Sequence, residues 1–477
     1  MITSDNYILT NITIIDGMGN PPAEGQYMHV KGRHIVGIGS MDELAGAGAA
    51  GTAAGAAGGS AAGSDAAAGG SAEAGSDAAA GSLDAGAEII DFAGKYIMPG
   101  MIDAHLHMAG GRGCGDWGDT EILCEPDQVR SMRSVYEAQK MLKYGFTTVR
   151  DISWNSLYLK RIFDDDVMPG PKVVACGPGL ARTGGHCDSP QFDLDYVRKH
   201  HFWAIISDGV DECRRNVRKV LREGADQIKF WATGGGNWGT DRISDTHYSF
   251  EEMKVICDEA HLIKGTLVCA HCETEESIRM AIEAGVDTIE HGEELTEELA
   301  EIMAEKGIVF VPTLFLIANW YDIIDLPGVD APKLIRPDAF LQRDLGCPTT
   351  DEDKAAYKAR TLESFRLALE KGVRIAVGSD TVYEPACEYG QQSLDEYKEL
   401  IDRGMTVLQG IQAATENGAI ACAMQHRVGA IREGLEADYL VLDENPAASA
   451  EVLHNHESIK QVVLNGKTVV ENGLLMW

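Results

Sequence analysis

The chain has 477 residues, and its 41 Lys and Arg against 74 Asp and Glu give a formal net charge of −33. Hydrophobic residues make up 44% and charged residues 24%, a composition typical of globular proteins. The acidic charge, without a basic block, argues against nucleic acid and anionic membranes as partners. No apolar run approaches the ~20 residues of a membrane-spanning helix, and no signal peptide is recognisable. The 11 scattered cysteines favour reduced thiols and a cytoplasmic location.

Residues 45–88 form a low-complexity segment that consists almost entirely of Ala, Gly and Ser. Such a segment has little apolar surface to bury, so burial does not offset the entropy that it would lose on ordering. We therefore expect a flexible insertion at the protein surface.

Both ends of the chain are rich in residues that favour strands. The β-rich runs lie at 7–15, 28–38, 88–92, 438–442, 459–465 and 467–471. Asn465 and Gly466, at the junction of the last two runs, predict a hairpin turn. We predict one small β-sandwich domain formed from both termini, with 1–95 (including the insertion) and 429–477 as its two parts.

The middle of the chain alternates between short apolar runs and helical patterns. The eight apolar runs lie at 96–103, 146–151, 172–176, 226–232, 266–271, 288–291, 308–314 and 374–380. This alternation is typical of a parallel α/β fold, and eight strands close a (β/α)8 barrel. We predict a TIM-like barrel over 96–428. An open doubly wound sheet is the alternative, although no GxGxxG follows the first run.

Catalytic groups of a barrel lie at the C-terminal ends of its strands, so the polar residues at these ends are informative. His105 and His107 follow the first run, are two apart and face the same side of a strand, as a metal-binding pair would. Lys229 lies among apolar neighbours in the fourth run and must be paired, modified or desolvated. A desolvated lysine loses its proton readily, and the neutral amine can take up carbon dioxide as a carboxylate-like carbamate.

Three further polar residues end later runs, namely His271, His291 and Asp380. A single histidine at a strand end is more often structural than a metal ligand. Six such residues at the ends of five predicted strands form a far more specific pattern. Nitrogen and oxygen ligands without a thiolate suit zinc or manganese.

The chain resembles the amidohydrolase superfamily, and within it the imidazolonepropionase-like and Xaa-Pro dipeptidase branch. The superfamily resemblance rests on PGMIDAHLH at 99–107 together with Lys229, His271, His291 and Asp380. The branch resemblance rests on GFTTVRD at 145–151, TGGHCD at 183–188 and IKFWATGG at 228–235. The resemblance covers nearly the whole chain except the insertion.

The resemblance implies a binuclear metal centre. His105, His107 and Asp380 would hold one metal, His271 and His291 would hold the second, and a carboxylated Lys229 and a hydroxide would bridge them. The hydroxide would attack a substrate amide, and Asp380 would accept its proton and pass it to the leaving amine.

The resemblance also suggests the substrate, a small molecule such as a dipeptide or an N-acyl amino acid. His186 would hydrogen-bond a carbonyl or carboxylate of the substrate, and Arg182 would pair with a carboxylate. Many relatives are homo-oligomers, so we expect one here. Arg150 and Asp151, adjacent at the end of the second run, are interpreted as a structural ion pair, with an Arg150 that faces the site as the alternative.

Two alternatives remain at this stage. The first is a mononuclear cyclic-amide hydrolase of imidazolonepropionase type, although that type lacks the lysine ligand. The second is a degenerate barrel without catalytic activity that serves for binding, although the intact set of six residues argues against it.

Overall fold

The computed structural model describes residues 2–45, 86–111, 125–188, 192–200, 203–236, 241–324, 350–382 and 387–476. Most of the predicted insertion lies outside these described residues. None of the described cysteines forms a disulfide, including Cys269 and Cys272, which have CxxC spacing within one strand. No helix in the described part of the chain is long and apolar enough to cross a membrane.

Strands from both ends of the chain form one nine-stranded sheet. Its strands are β1 (Asn6–Ile14), β2 (Ala23–Lys31), β3 (His34–Ser40), β4 (Glu88–Asp91), β5 (Tyr96–Pro99), β16 (Tyr439–Leu442), β17 (Ile459–Leu464), β18 (Lys467–Glu471) and β19 (Leu474–Leu475). They follow the order β19-β18-β17-β16-β5-β1-β2-β3, and β4 pairs with β1. Asn465 and Gly466 have φ angles of 52° and 80°, as the predicted hairpin turn between β17 and β18 requires.

This sheet separates two hydrophobic cores, because successive side chains of a strand point to opposite faces. On β16, Leu440 and Leu442 pack into the large core of the molecule. Tyr439 and Val441 pack instead into a second, smaller core with residues of β1 and β2. The sheet formed by the two ends of the chain therefore has a core of its own.

The middle of the chain forms two parallel sheets. The three-stranded sheet contains β6 (Met101–Leu106), β7 (Phe146–Asp151) and β8 (Lys172–Ala175). The seven-stranded sheet contains β9 (Gly179–Ala181), β10 (Ala204–Ile206), β11 (Ile228–Trp231), β12 (Val268–Cys272), β13 (Thr288–His291), β14 (Val309–Val311) and β15 (Arg374–Ile375). Its order is β10-β9-β11-β12-β13-β14-β15.

Helices alternate with these strands, as the sequence predicts. They are α1 (Asp127–Lys143), α2 (Ser156–Asp164), α3 (Leu194–His200), α4 (Val210–Glu223), α5 (Phe250–His261), α6 (Glu275–Ala284), α7 (Glu297–Lys306), α8 (Leu314–Ile324), α9 (Asp351–Glu370), α10 (Gln391–Asp402), α11 (Val407–Ala413), α12 (Glu416–Ala421) and α13 (Ala450–His454). Strand–helix alternation with parallel pairing makes this an α/β fold.

Backbone hydrogen bonds connect β6 with the segment that follows β15. The amide of Ala104 donates to Val377 O at 2.8 Å, and the amide of Asp380 donates to His105 O at 2.7 Å. The run predicted as a strand at 374–380 is regular only at Arg374–Ile375. Its remaining residues still run beside β6.

The first predicted run, 96–103, is divided between two sheets. Gly100 separates β5, in the nine-stranded sheet, from β6, in a parallel sheet. A Cβ atom at Gly100 would lie 2.1 Å from Thr147 Oγ1, so the chain passes too close to β7 for any side chain there. The third run ends at β8, and the sequence did not predict β9 and β10, which span 3 residues each.

Candidate metal centre

Strand β6 and the segment after β15 bring three predicted ligands together. His107 Nε2 lies 2.9 Å from Asp380 Oδ1, and His105 Nε2 lies 3.5 Å from the same oxygen. His107 Nδ1 donates to Ile152 O at 2.6 Å, so a neutral His107 presents a lone pair at Nε2. Two acceptor atoms that face each other need a cation between them, either a proton or a metal.

His291, at the end of β13, joins the same cluster. One ligand atom from each of His105, His291 and Asp380 lies within 4.8 Å of the others. The ring centroids of His271 and His291 are 4.5 Å apart. The C-terminal ends of β6, β12 and β13 therefore bring their histidines to one place.

Hydrogen bonds fix which ring nitrogen of each histidine is free. His105 Nδ1 donates to a Glu290 oxygen, and His291 Nδ1 is 2.8 Å from Thr313 Oγ1. His271 instead donates from Nε2 to Gly234 O at 3.2 Å, which leaves its Nδ1 free. Such partners on the second nitrogen are characteristic of histidines that bind metals.

Lys229 lies in β11 and is 1% exposed. Its Nζ has no hydrogen-bond partner among the described residues and lies 5.8 Å from the centroid of the Trp231 ring. It is close enough to lower the pKa of His105, His271 and His291 electrostatically. A buried amine without a partner is costly, and conversion to a metal-bound carbamate would remove that cost, so this residue fits the predicted bridging role.

The protonation states of the cluster suit metal binding. Burial lowers the pKa of His105 and His271 well below the ordinary value, and lowers that of His291 to about 4. Burial alone would raise the pKa of Asp380, but the hydrogen bond with His107 and the nearby histidines bring it well below its usual range. The site thus combines neutral imidazoles with an ionised carboxylate, the forms that bind cations.

Two of the predicted ligands have strained backbones. His291 and Asp380 have φ angles of 69° and 54°, in the left-handed region that non-glycine residues seldom adopt. The Asp380 amide donates to His105 O, and the Gly292 amide donates to Cys272 O at 2.9 Å. Strain of this kind concentrates at functional sites, where the surrounding structure holds it.

Asp103 supports the site and was given no role from sequence. It is fully buried and accepts hydrogen bonds from the His105 amide at 3.0 Å, the Ser379 amide at 3.2 Å and Ser393 Oγ at 2.6 Å. It therefore ties β6 to the segment before Asp380 and to α10. Asp103 is an acidic residue inside an apolar run, two residues before His105, and this unusual position could have indicated its supporting role.

His186, a predicted substrate contact, lies beside the cluster. Its ring stacks on His271 with centroids 4.9 Å apart, and its Nδ1 is 2.7 Å from Asp241 Oδ2. Burial alone would lower its pKa, but the charge and hydrogen bond of Asp241 raise it well above the ordinary value. A Cβ atom at Gly235 would lie 2.3 Å from His186 Cε1, which explains why glycine is present there.

Arg182, the second predicted substrate contact, belongs to the turn that carries His186. Its carbonyl accepts from the Gly185 amide at 3.0 Å, and its Nε donates to Thr183 O at 3.2 Å. Its pairing with a substrate carboxylate stays a prediction.

Trp203, which the sequence did not indicate, has its ring centroid 5.7 Å from that of His107.

The interpretation of Arg150 and Asp151 as an ion pair is wrong. Adjacent residues of a strand point to opposite faces, and Arg150 binds Glu290 with its Nη2 2.8 Å from Oε1. Asp151 accepts instead from the Met108 amide at 3.0 Å and from Ser153 Oγ at 3.0 Å.

A sequence model of the amidohydrolase family matches residues 96–469. The chain belongs to this family. The match begins at the first residue of β5 and extends through both parallel sheets into β18.

This amidohydrolase is similar to three relatives in particular. Ochratoxinase from Aspergillus niger is 30% identical over 402 residues, which cover 80% of this chain and 77% of the relative. The crystal structure of A. niger ochratoxinase covers 98% of this chain and 96% of its own, with a TM-score of 0.77. A prolidase complexed with N-methylphosphonate-L-proline is 26% identical, with a TM-score of 0.74 and coverage of 98% and 100%. Imidazolonepropionase from Geobacillus sp. is 24% identical and covers 82% of this chain and 85% of its own.

Proposed function

We propose that this amidohydrolase is a metal-dependent hydrolase of amides whose leaving group is an amino acid with a free carboxylate, such as dipeptides or N-acyl amino acids. The observation that carries the proposal is the cluster of His105, His291 and Asp380 at the strand ends, beside the buried amine of Lys229. Relatives named ochratoxinase and prolidase support the reaction class.

The architecture that we propose for this site is one closed barrel with an attached β domain. The hydrogen bonds between β6 and the segment after β15 support closure of the two parallel sheets into a single ring of strands. Residues 96–428 would form the barrel, with β5 as the strand that leads into it. The β domain would contain 1–95 and 429–477, and the assembly would be a homo-oligomer.

The resemblance to the family implies how the ligands would be divided between two metals. His105, His107 and Asp380 would hold one divalent metal, zinc or manganese, and His271 and His291 would hold the second. Carboxylated Lys229 would bridge the two. The pair, when bound, lowers the pKa of water and polarises the scissile carbonyl.

The chain's own residues would then direct the proton and the substrate. Asp380, ionised and 2.9 Å from His107 Nε2, would accept a proton from the attacking water and deliver it to the leaving amine. His186, positively charged through Asp241, would bind a substrate carboxylate or carbonyl beside His271. Arg182 would supply a second cation in the same turn.

Metal content per chain tests this proposal directly. Protein purified without chelator and supplied with zinc and bicarbonate should contain about two metals per chain, and should hydrolyse N-acyl amino acids. Lys229→Ala should lose at least one metal and nearly all activity. Lys172→Ala is the matched control, because Lys172 is also largely buried but pairs with Glu436 and Asp438 away from the cluster.

The alternatives give different results. About one metal per chain in the wild-type protein, with activity on cyclic amides, would favour a mononuclear hydrolase of imidazolonepropionase type. Absence of metal after reconstitution would favour a binding protein. Full metal content and activity in Lys229→Ala would contradict the bridged centre.

A further inference from the structure

A buried chain of charged groups leads from the interior of the parallel sheets to one predicted ligand. Arg150 Nη2 donates to both Glu290 oxygens, each at 2.8 Å, and Glu290 accepts from His105 Nδ1. Arg150 and Glu290 are both 0% exposed. These residues lie on β7, β13 and β6, so the chain crosses both sheets.

The position of Arg150 is fixed by its other donors. Its Nε donates to Ala104 O on β6, and its Nη1 lies 3.3 Å from Gln227 Oε1 and 3.2 Å from Thr288 Oγ1. Thr288 also donates to Glu290 Oε1. Arg150 and Thr288 therefore hold the Glu290 carboxylate, and its Oε2 also faces His105.

We propose that Glu290, held by Arg150, is the positioning residue that fixes His105 as the Nδ1–H tautomer with Nε2 free to bind metal. A carboxylate accepts hydrogen bonds and does not donate them, so the nitrogen that faces it must carry the proton. His105 Nε2 then points its lone pair towards Asp380, 3.5 Å away. The inference rests on the proposed function, because it assigns a partner to one of its metal ligands.

Stability alone gives a weak reason for this arrangement. A buried ion pair is often no more stabilising than apolar residues of similar volume, because desolvation offsets the attraction. The direct contact of Glu290 with a predicted ligand supplies a specific reason. An apolar replacement would fill the same space but would leave the tautomer of His105 undetermined.

The variant E290Q tests the tautomer directly. Arg150 Nη2 contacts both oxygen positions, but Arg150 Nη1 also donates to Thr288, whose hydroxyl donates to the Oε1 position. The amide oxygen should therefore take the Oε1 position, and the amide nitrogen should face His105. The amide N–H would then donate to Nδ1, and the proton of His105 would move to Nε2. We expect zinc affinity, measured by competition with a chelator, to fall about 10- to 100-fold, together with a changed absorption spectrum of the cobalt-substituted protein.

The double variant R150M/E290Q provides the decisive comparison. Without Arg150, the amide of Gln can turn its oxygen to His105 and its nitrogen to Thr288. We expect zinc affinity to recover at least tenfold relative to E290Q, although another buried group has been removed. A purely structural role predicts the opposite, a double variant that binds zinc no better than E290Q.

The control is E436Q, which changes a buried carboxylate that binds Lys172 at 3.1 Å and Arg427 at 2.9 Å. It should leave zinc affinity unchanged whatever its effect on the unfolding midpoint of the metal-free protein. If E290Q does not fold, Arg150→Lys replaces it, since it keeps the charge but loses the donors to Ala104 and Gln227 that fix the side chain. Weaker zinc binding in Arg150→Lys would support the proposal, and unchanged binding would overturn it.

The remaining outcomes separate this inference from the proposed function. A wild-type protein that binds no metal would contradict the proposed function itself. A wild-type protein that binds zinc, with E290Q binding it equally well, would overturn only the role of Glu290. Loss of stability in metal-free E290Q, without any change in zinc affinity, would likewise overturn that role.

Discussion

Lys229 and Arg150 both have buried basic side chains, but their surroundings differ. Arg150 directs its donors to Ala104, Gln227, Thr288 and Glu290, and the Glu290 charge keeps its pKa raised despite burial. Lys229 Nζ has no partner among the described residues. Arg150 is therefore suited to act as a permanent charge, whereas the amine of Lys229 is suited to modification.

The positive charge of His186 depends on Asp241, and this gives a prediction at the residue scale. Asp241→Asn keeps an acceptor for the Gly235 amide, which is now 2.8 Å from Oδ1, but removes the charge that raises the pKa of His186. We expect KM for an N-acyl amino acid to rise about 10- to 100-fold, with a smaller change in kcat, because a charge-assisted contact to the substrate is lost.

The matched substrate is the same compound with its carboxylate converted to an amide. Its KM should be nearly the same in the wild-type protein and in Asp241→Asn. Equal losses for both substrates would show that Asp241 acts on the site as a whole and not through recognition of the carboxylate.

At the scale of an element, the start of α8 depends on a side chain from α10. Glu396 accepts from the amides of Leu314 and Phe315 at 3.0 and 2.6 Å, which satisfies two free donors of a helix N-terminus. This contact positions the helix directly after Thr313, the partner of His291. Burial raises the pKa of Glu396 to about 8.

Glu396 should make stability depend on pH. Its folded pKa of about 8 lies above the ordinary value of 4.5, so between these values the carboxyl is neutral in the fold and ionised when unfolded. Its contribution to the free energy of unfolding is thus present at low pH and is lost as pH rises from about 4.5 to about 8, by about 1.4 kcal/mol per pH unit. Glu396→Gln does not titrate and should show a flatter dependence in urea unfolding of chelator-treated protein.

Glu298→Gln is the control for this measurement. Glu298 is exposed on α7, and its hydrogen bond with Arg279 lowers its pKa, so it does not titrate in this pH window. Its variant should follow the wild-type pH dependence. A Glu396→Gln protein with an unchanged slope would contradict the assigned titration.

At the scale of the whole molecule, the two ends of the chain meet in one sheet. β5 pairs with β1 from the N-terminal part and with β16 from the C-terminal part, and it leads directly into β6. The site-bearing sheets are thus continuous in sequence with a sheet that has its own core. Strand β4 is held by parallel pairing with β1 from Tyr7↔Glu88 to Thr10↔Asp91.

Because β4 is held by its own pairing, the low-complexity segment should be dispensable. Replacement of residues 46–85 with a short Gly-Ser linker should leave the unfolding midpoint, the metal content and the assembly size unchanged. The physical reason is the composition of the segment, which offers almost no apolar side chain for burial. Loss of folding, or a smaller assembly in light scattering, would show that the segment takes part in the structure.

Local patterns in the sequence determined the α/β class, the alternation of strands and helices, the Asn465-Gly466 hairpin and the residues that meet in the histidine and aspartate cluster. These features depend on short-range rules. Strand periodicity places His105 and His107 on one face, and parallel strands bring their C-terminal ends to the same edge. Such rules act between near neighbours in the chain, so the sequence by itself carries them.

Only the tertiary structure decided which atoms face each other. Arg150 is adjacent to Asp151 but binds Glu290, which is 140 residues away, and Asp103 binds Ser393, which is 290 residues away. The break at Gly100 likewise depends on the close approach of Thr147. Hydrogen bonds, tautomers and backbone clearance depend on atoms that lie within a few ångströms of each other in space. Sequence periodicity does not determine distances between residues that are far apart in the chain.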